Sequence, residues 1–244
     1  MMDSGEHRAV ALVSGGLDSC VSLAWTVAQG WDTWLLHATY GQRTERREET
    51  AFKAIAEHFS VPEERRLQVP LSHLAAIGGS SLTDHSIPVE TADLNRAEVP
   101  STYVPFRNTH LLATAASWAE VIGADRIVIG AVYEDGSGYP DCTPEYYRAF
   151  NRLLSVAVAR GPIVVETPVI RMHKSQIVRL GIDLKAPLHL TWSCYQNEDK
   201  ACGVCDSCVL RLRGFEEAGA EDPIPYVVRN RIGRSGTIET GESQ

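Results

Sequence analysis

An apolar run that stops at paired glycines and restarts as a helix limits what this chain can fold into more than any other feature. Residues 8–13 read RAVALV, short enough and apolar enough for a buried strand. Ser14-Gly15-Gly16 ends that run, and Leu17, Val21, Ala24 and Ala28 then recur at helical spacing behind Asp18. Further on, 34–38 is a second apolar run, 45–59 places Ala51, Phe52, Ile55, Ala56 and Phe59 at helical spacing, and 67–69 reads as a third short strand. A helix over 108–122, a strand over 126–129, a helix over 145–159, a strand over 163–167 and a short helix after Lys174 continue the alternation. Strands alternating with helices predict an α/β fold: a Rossmann-like, mostly parallel sheet with helices on both faces.

Two stretches fall outside this rhythm. Residues 72–106 hold Gly78-Gly79, prolines and no long apolar period, which is too much chain for a silent connection, so a lid or substrate loop is expected there. Near the C-terminus, Cys194, Cys202, Cys205 and Cys208 crowd into fifteen positions, while Cys20 and Cys142 lie far away. That spacing suits a metal better than a disulfide framework. The division expected is a nucleotide-binding α/β domain over 8–190, a metal-binding segment over 191–228 and a flexible tail over 229–244.

The balance of 23 Lys+Arg against 31 Asp+Glu, 23 − 31 = −8, argues against a chain that coats nucleic acid, because phosphate binding needs a concentrated excess of cations. No run approaches the ~20 apolar residues of a membrane span. The start, MMDSGEHRAV, lacks the basic end and apolar core of a secretory signal. A cytoplasmic protein with no nucleic-acid or membrane partner is the expectation.

Between a buried strand and a helix N-terminus, free backbone N–H groups and the positive helix end favour an anion. The loop is neither a Walker A sequence nor a dinucleotide G-x-G-x-x-G. Taken alone, Gly15-Gly16 is equally well a tight turn, with Ser14 or Asp18 capping the helix. The four clustered thiols suit tetrahedral zinc in a closed structural site, and the C-x3-C-P continuation of bacterial ferredoxins is absent.

The full hexapeptide Ser14-Gly15-Gly16-Leu17-Asp18-Ser19 resembles the PP-loop of the ATP pyrophosphatase superfamily. Four further stretches join it: Tyr40-Gly41-Gln42-Arg43, the run TYVPFRN over 102–108, SGYPDC over 137–142, and TWSCY over 191–195 with its following cysteines. Together, in order and over nearly the whole chain, they are similar to the 7-cyano-7-deazaguanine synthase family of the queuosine pathway. That resemblance implies a homodimer of the PP-loop ATPase type with structural zinc. It also implies ATP-dependent, Mg²⁺-assisted conversion of 7-carboxy-7-deazaguanine and ammonia to the nitrile through adenylated acid and amide. It puts Val13, Ser14, Gly15, Gly16, Leu17, Asp18, Ser19 and Cys20 at the nucleotide, and Asp18, Lys174 and Arg107 in catalysis.

The substrate implied, a planar base bearing a carboxylate, calls for stacking, edge hydrogen bonds and a cation. Tyr103 and Phe106 are candidates to stack, Arg107 to pair with the carboxylate or a phosphate, Asn108 to hydrogen-bond, and Tyr139 and Asp141 to line the site. The ordinary alternatives are Asn108 as a helix cap, Arg107 in a surface or structural ion pair, Lys174 as a solvated surface lysine, the aromatics as core and His37 as a strand residue. Cys142 is expected in packing, not covalent catalysis. Cys20 and Val21, residues 132–136 and Thr143 depart from the family pattern, which bears on substrate contacts and not on ATP use. The competing reading is another PP-loop adenylating enzyme, such as a tRNA-modifying thiolase or ligase.

Overall fold

The computed structural model describes residues 7–93, 96, 98–133, 138–229, 231–232 and 238–239. Within β1 (Arg8–Leu12) the side chains alternate: Ala9 and Ala11, continued by Val13, face one way, and Val10 and Leu12 the other, all buried. A strand covered on both faces must lie inside a sheet, and β1 does. With β2 (Asp32–Thr39), β3 (Arg66–Pro70), β4 (Arg126–Ile129) and β5 (Val164–Glu166) it forms a five-stranded sheet of order β3-β2-β1-β4-β5. All four pairings are parallel, with Val10 opposite Trp34 on one side and Ile127 on the other.

Helices α1 (Leu17–Ala28) and α2 (Glu45–His58) cover the Ala9 face, where Cys20, Leu23, Phe52 and Ile55 pack on Leu35 and Val128. After the short α3 (His73–Ile77), α4 (Arg107–Ile122) and α5 (Pro144–Ala157) cover the Val10 face with Leu112, Ala115, Phe150 and Leu154. Each large side chain so buried stabilises the fold by roughly 1.5–3 kcal/mol. Helices α6 (Lys174–Asp183) and α7 (Asp206–Ala218) add a flank in which Ile177, Val178 and Phe215 pack on Leu17 and Val21 of α1. Among the described residues no helix is long and apolar enough to cross a membrane.

The chain winds outward from β1 to β3, then crosses back to β4 and β5 on the other side of β1. The crevice at the carboxyl ends of β1 and β4 is therefore the switch point where open parallel sheets bind ligands. Gly130, directly after β4, keeps that crevice narrow: a Cβ there would lie 2.6 Å from the Asp18 carbonyl and 2.7 Å from the Ser19 nitrogen.

Several expectations gain a physical reason here. Thr143 caps α5, its Oγ1 accepting the Tyr146 N–H at 3.1 Å, and Pro144 follows at the first helical position, where no N–H is needed. The long segment 72–106 is largely irregular but anchored. Arg43 donates to the carbonyls of Ser81, Asp84 and Ile87, and Ala92 N–H donates to Val204 O. Of the departures at 132–136, residues 134–136 lie outside the described residues. So does most of the tail, apart from an antiparallel pair of β6 (Arg231–Ile232) and β7 (Ile238–Glu239).

Replacing Gly130 with Ala forces the start of α1 away from β4. The expected cost is about 1–3 kcal/mol, seen in thermal unfolding as a midpoint lowered by about 2–4 °C per kcal/mol.

Candidate functional site

The crevice opens into a cavity of about 290 Å³ whose floor is the loop from Val13 to Ser19. Gly15 holds φ at +90°, and a Cβ on it would lie 2.6 Å from the carbonyl oxygen of Glu48 in α2. Trp192, from the C-terminal segment, donates its N–H to the Gly15 carbonyl at 2.8 Å. Inside the loop, Ser14 Oγ accepts the Gly16 N–H at 3.2 Å and Ser19 Oγ donates to Gly16 O at 3.0 Å. Gly16 occupies the N-cap of α1, so no side chain caps this helix. Its first amides, on Leu17, Asp18 and Ser19, face the cavity end of a twelve-residue helix, a site suited to phosphate oxygens.

Cys20, expected at the nucleotide, lies elsewhere. Its side chain is fully buried in the core beside Leu23 and its N–H already donates to Gly16 O at 3.1 Å. Burial also pushes its thiol up to about 12. Lys174 opens α6 and reaches Asp18, with Nζ 2.8 Å from both carboxylate oxygens. At 13% side-chain exposure it is not a solvated surface lysine.

Arg107, the first residue of α4, forms the opposite wall with Tyr40, Tyr139 and Tyr195. Its Nη1 donates to Tyr40 Oη at 2.9 Å and its guanidinium lies over the same ring. No carboxylate among the described residues forms an ion pair with it. Burial opposes its charge, but Tyr40, Tyr139, Cys142 and Asp141 outweigh that and hold its pKa above the usual arginine value. Burial pushes the Tyr40 and Tyr139 hydroxyls up, so both stay neutral beside the guanidinium.

Asn108 also lines the cavity, but its Nδ2 is committed to Asp141 O at 2.9 Å and Cys142 Sγ at 3.3 Å. Asp141 does not line the cavity. Its carboxylate accepts the Asn108 N–H at 3.0 Å and so caps α4 from a distance. Phe106 is 58% exposed, in the left-handed region at φ +60°, and outside the cavity. Tyr103 is also outside it, beside Tyr139, with its hydroxyl accepting the Phe106 N–H. Cys142 is buried and its thiol pushed up to about 11, chiefly by burial. His37 is buried against Phe52, its Nδ1–H donating to Val13 O, and burial keeps it neutral.

Residues not singled out from the sequence complete the wall: Glu48, Thr44, Ser193, Tyr195 and Arg211. Glu48 had a legible signal, since it stands three and four positions before Ala51 and Phe52 on the buried stripe of α2. Its two oxygens accept from Thr44 Oγ1 at 2.8 Å and Gln42 Nε2 at 3.0 Å. Burial raises its carboxyl above the ordinary range despite those hydrogen bonds.

The four clustered cysteines are buried, with their sulfurs all within 4.8 Å of one another. The Cys202 and Cys208 sulfurs are 3.8 Å apart. A tetrahedron with metal–sulfur bonds of about 2.3 Å has edges of about 3.8 Å, so the donor set fits one zinc-sized ion. Amides of Gln196, Asn197 and Cys202 point at Cys194 Sγ, as they do for thiolates. Alongside sits a buried pair: Arg211 meets Asp222 through Nε at 2.8 Å and Nη2 at 3.0 Å, and also donates to Thr191 Oγ1 and Ser193 Oγ. Arg211 thereby fixes both neighbours of Trp192, the residue that holds Gly15.

The profile of the family described as queuosine biosynthesis protein QueC matches residues 8–219. A 7-cyano-7-deazaguanine synthase from Chlorobium phaeobacteroides (strain DSM 266) is 54% identical over 223 residues, covering 91% of this chain and 98% of the relative. Another from Acidobacterium capsulatum is 53% identical over 232 residues, covering 93% and 100%. Among solved structures, an NMN synthetase from Francisella tularensis is similar at 15% identity, covering 90% of this chain and 80% of that one, with a TM-score of 0.48.

Two outcomes are expected. Arg211→Met strands the Asp222 charge in the interior and costs about 3–5 kcal/mol in urea unfolding. Cys205→Ser removes one of four thiols and leaves the purified protein with well under one equivalent of metal by elemental analysis.

Proposed function

The chain belongs to the queuosine biosynthesis QueC family, and on that premise we propose that it converts 7-carboxy-7-deazaguanine and ammonia to 7-cyano-7-deazaguanine at the expense of ATP. The observation that carries this reading is one cavity with two separate sites for anions. The uncapped start of α1 suits phosphates, and a half-buried Arg107 that forms no ion pair among the described residues suits the carboxylate of a second ligand.

A carboxylate is a poor electrophile, so its oxygen must first be adenylated. The amides of Leu17, Asp18 and Ser19, with the Ser14 and Ser19 hydroxyls, stabilise charge that grows on the leaving pyrophosphate. Lys174 adds a point charge at the same end of the cavity. Mg²⁺ bound with ATP neutralises phosphate charge, and the Asp18 carboxylate is the described group on the cavity floor that suits it. Arg107 orients the substrate carboxylate towards the α-phosphate. Ammonia then displaces AMP to give the amide, and a second adenylation on the amide oxygen lets loss of AMP leave the nitrile. Both rounds ask for the same attack with the same leaving group, so one loop serves both. No thiol nucleophile is needed, in keeping with Cys142 as a buried, protonated side chain.

The cysteine site supplies all four ligands itself and keeps no open position, so zinc there is structural. A cytoplasmic homodimer that takes small molecules only completes the reading, and the charge of −8 supports the absence of a nucleic-acid substrate.

Incubation with ATP, Mg²⁺, ammonium chloride and 7-carboxy-7-deazaguanine is expected to yield the nitrile and two AMP per turnover. ATP consumption only with tRNA contradicts the reading. Arg107→Gln removes a charged hydrogen bond, so kcat/KM for the carboxylate falls about 10- to 150-fold, equivalent to about 1.5–3 kcal/mol.

A further inference from the structure

Nitrile synthesis asks for more than adenylation: the incoming nitrogen must be held, and it must lose protons in both rounds. Among the described residues only two carboxylates line the cavity, Asp18 and Glu48. Asp18 is engaged by Lys174 through both oxygens. Glu48 differs in kind. Its oxygens are held by two neutral donors, Thr44 Oγ1 and Gln42 Nε2, and it forms no ion pair with any described Lys, Arg or His. Each oxygen keeps a lone pair for another donor.

The holders are themselves held, so the carboxylate is oriented. Gln42 Oε1 accepts the Tyr40 N–H at 2.8 Å, and Thr44 is buried at the N-cap of α2. Glu48 also shares its wall with Arg107 and Tyr40, close enough for each to act on its charge, while Glu45 acts from the same helix. The substrate carboxylate that Arg107 orients would share this wall with the Glu48 carboxylate, and two like charges there are unfavourable unless a small cation joins them.

We propose that Glu48 is the ammonium site of this enzyme and the base that takes protons from the reacting nitrogen. This deepens the function proposed above and rests on it. In the first round Glu48 takes one proton from ammonium and releases ammonia. The nitrogen lone pair forms the new C–N bond at the adenylated carbon. The C–O bond to the adenylate then breaks, AMP leaves with that electron pair, and the extra proton on nitrogen passes to the base or to solvent. In the second round the nitrogen of the O-adenylated amide gives up two protons. The first passes to the same carboxylate and on to solvent, leaving a neutral imidate. The second is taken as its N–H electrons complete the carbon–nitrogen triple bond, the C–O bond breaks and AMP departs with the C–O electron pair. Between steps the proton passes to solvent, so Glu48 is regenerated. The raised carboxyl of Glu48 suits a group that must accept a proton from nitrogen near neutral pH.

The test separates the two half-reactions in wild type, Glu48→Gln and Glu48→Asp. Adenylation is read as pyrophosphate exchange into ATP that depends on 7-carboxy-7-deazaguanine, and ligation as amide plus nitrile from ammonium chloride. Glu48→Gln is expected to keep exchange within about threefold of wild type and to lose ligation at least 100-fold, the contribution usual for a positioned base. Hydroxylamine, largely unprotonated at neutral pH, is expected to restore product from Glu48→Gln to within about tenfold. Glu48→Asp should recover part of the ammonia reaction. Normal ammonia ligation by Glu48→Gln overturns the proposal, as does a parallel loss of exchange and ligation in both variants. Wild type that shows no carboxylate-dependent exchange overturns the function itself, and this inference with it.

Discussion

The phosphate loop is shaped by its neighbours. Gly15 sits between the Glu48 carbonyl of α2 and the Trp192 amide of the C-terminal segment, and Gly130 lets β4 press on the first turn of α1. Neither the Glu48 carbonyl nor the α1 start leaves room for a side chain at Gly15 or Gly130, and the Trp192 amide ties the loop from the other side, so the loop has little freedom to relax. Preorganised amides need no reorientation when charge develops, which is the condition for their catalytic use. The cysteine centre belongs to the same arrangement. It fixes the segment that carries Trp192, and the buried Arg211–Asp222 pair grips that segment on both sides of the contact.

Electrostatics within the cavity run against the protein as a whole. A chain of net charge −8 must hold ATP and a second anion together, and it does so with few cations placed deep. Lys174 is tied to Asp18 at one end, and Arg107 is ringed by neutral phenols at the other. Phenols stabilise a buried guanidinium without neutralising it, which leaves its charge for a ligand. Glu48 on the wall of Arg107 is the complement, a carboxylate held by two neutral donors and in no ion pair among the described residues. That distribution suits a reaction in which an anion, a polyphosphate and an ammonium ion meet.

What could be read from the sequence follows from which forces act locally. The unbroken apolar run of β1 marked a strand covered on both sides, and helical spacing in α1 and α2 marked the helices that cover one of them, because a central strand must bury both faces and each helix one. Cysteine spacing marked the convergent four-sulfur cluster, because four thiols on a short loop are brought together by its turns. Side chains placed by contacts far along the chain were less legible. Arg211 meets Asp222 and the Thr191 to Ser193 turn, and Trp192 meets Gly15, through pairings that no local period encodes. Adjacency in a motif also misled. Cys20 directly follows the loop but turns into the core, as the 3.6-residue period of α1 requires. Phe106 precedes Arg107 yet points to solvent, and Asp141 serves the end of α4 in place of the cavity. Glu48 was within reach, since a charged residue one turn before Ala51 and Phe52 on the apolar stripe of α2 faces inward, where it is half-buried at the cavity wall.

If one phosphate loop serves the acid oxygen first and the amide oxygen second, both AMP molecules carry oxygen from the substrate carboxylate, which oxygen-18 in both carboxylate positions reports. Mass spectrometry of the products should then show one labelled oxygen in the phosphate of each of the two AMP molecules formed per nitrile, and none in pyrophosphate. Label in pyrophosphate or released as water, or a single labelled AMP per nitrile, would contradict that order.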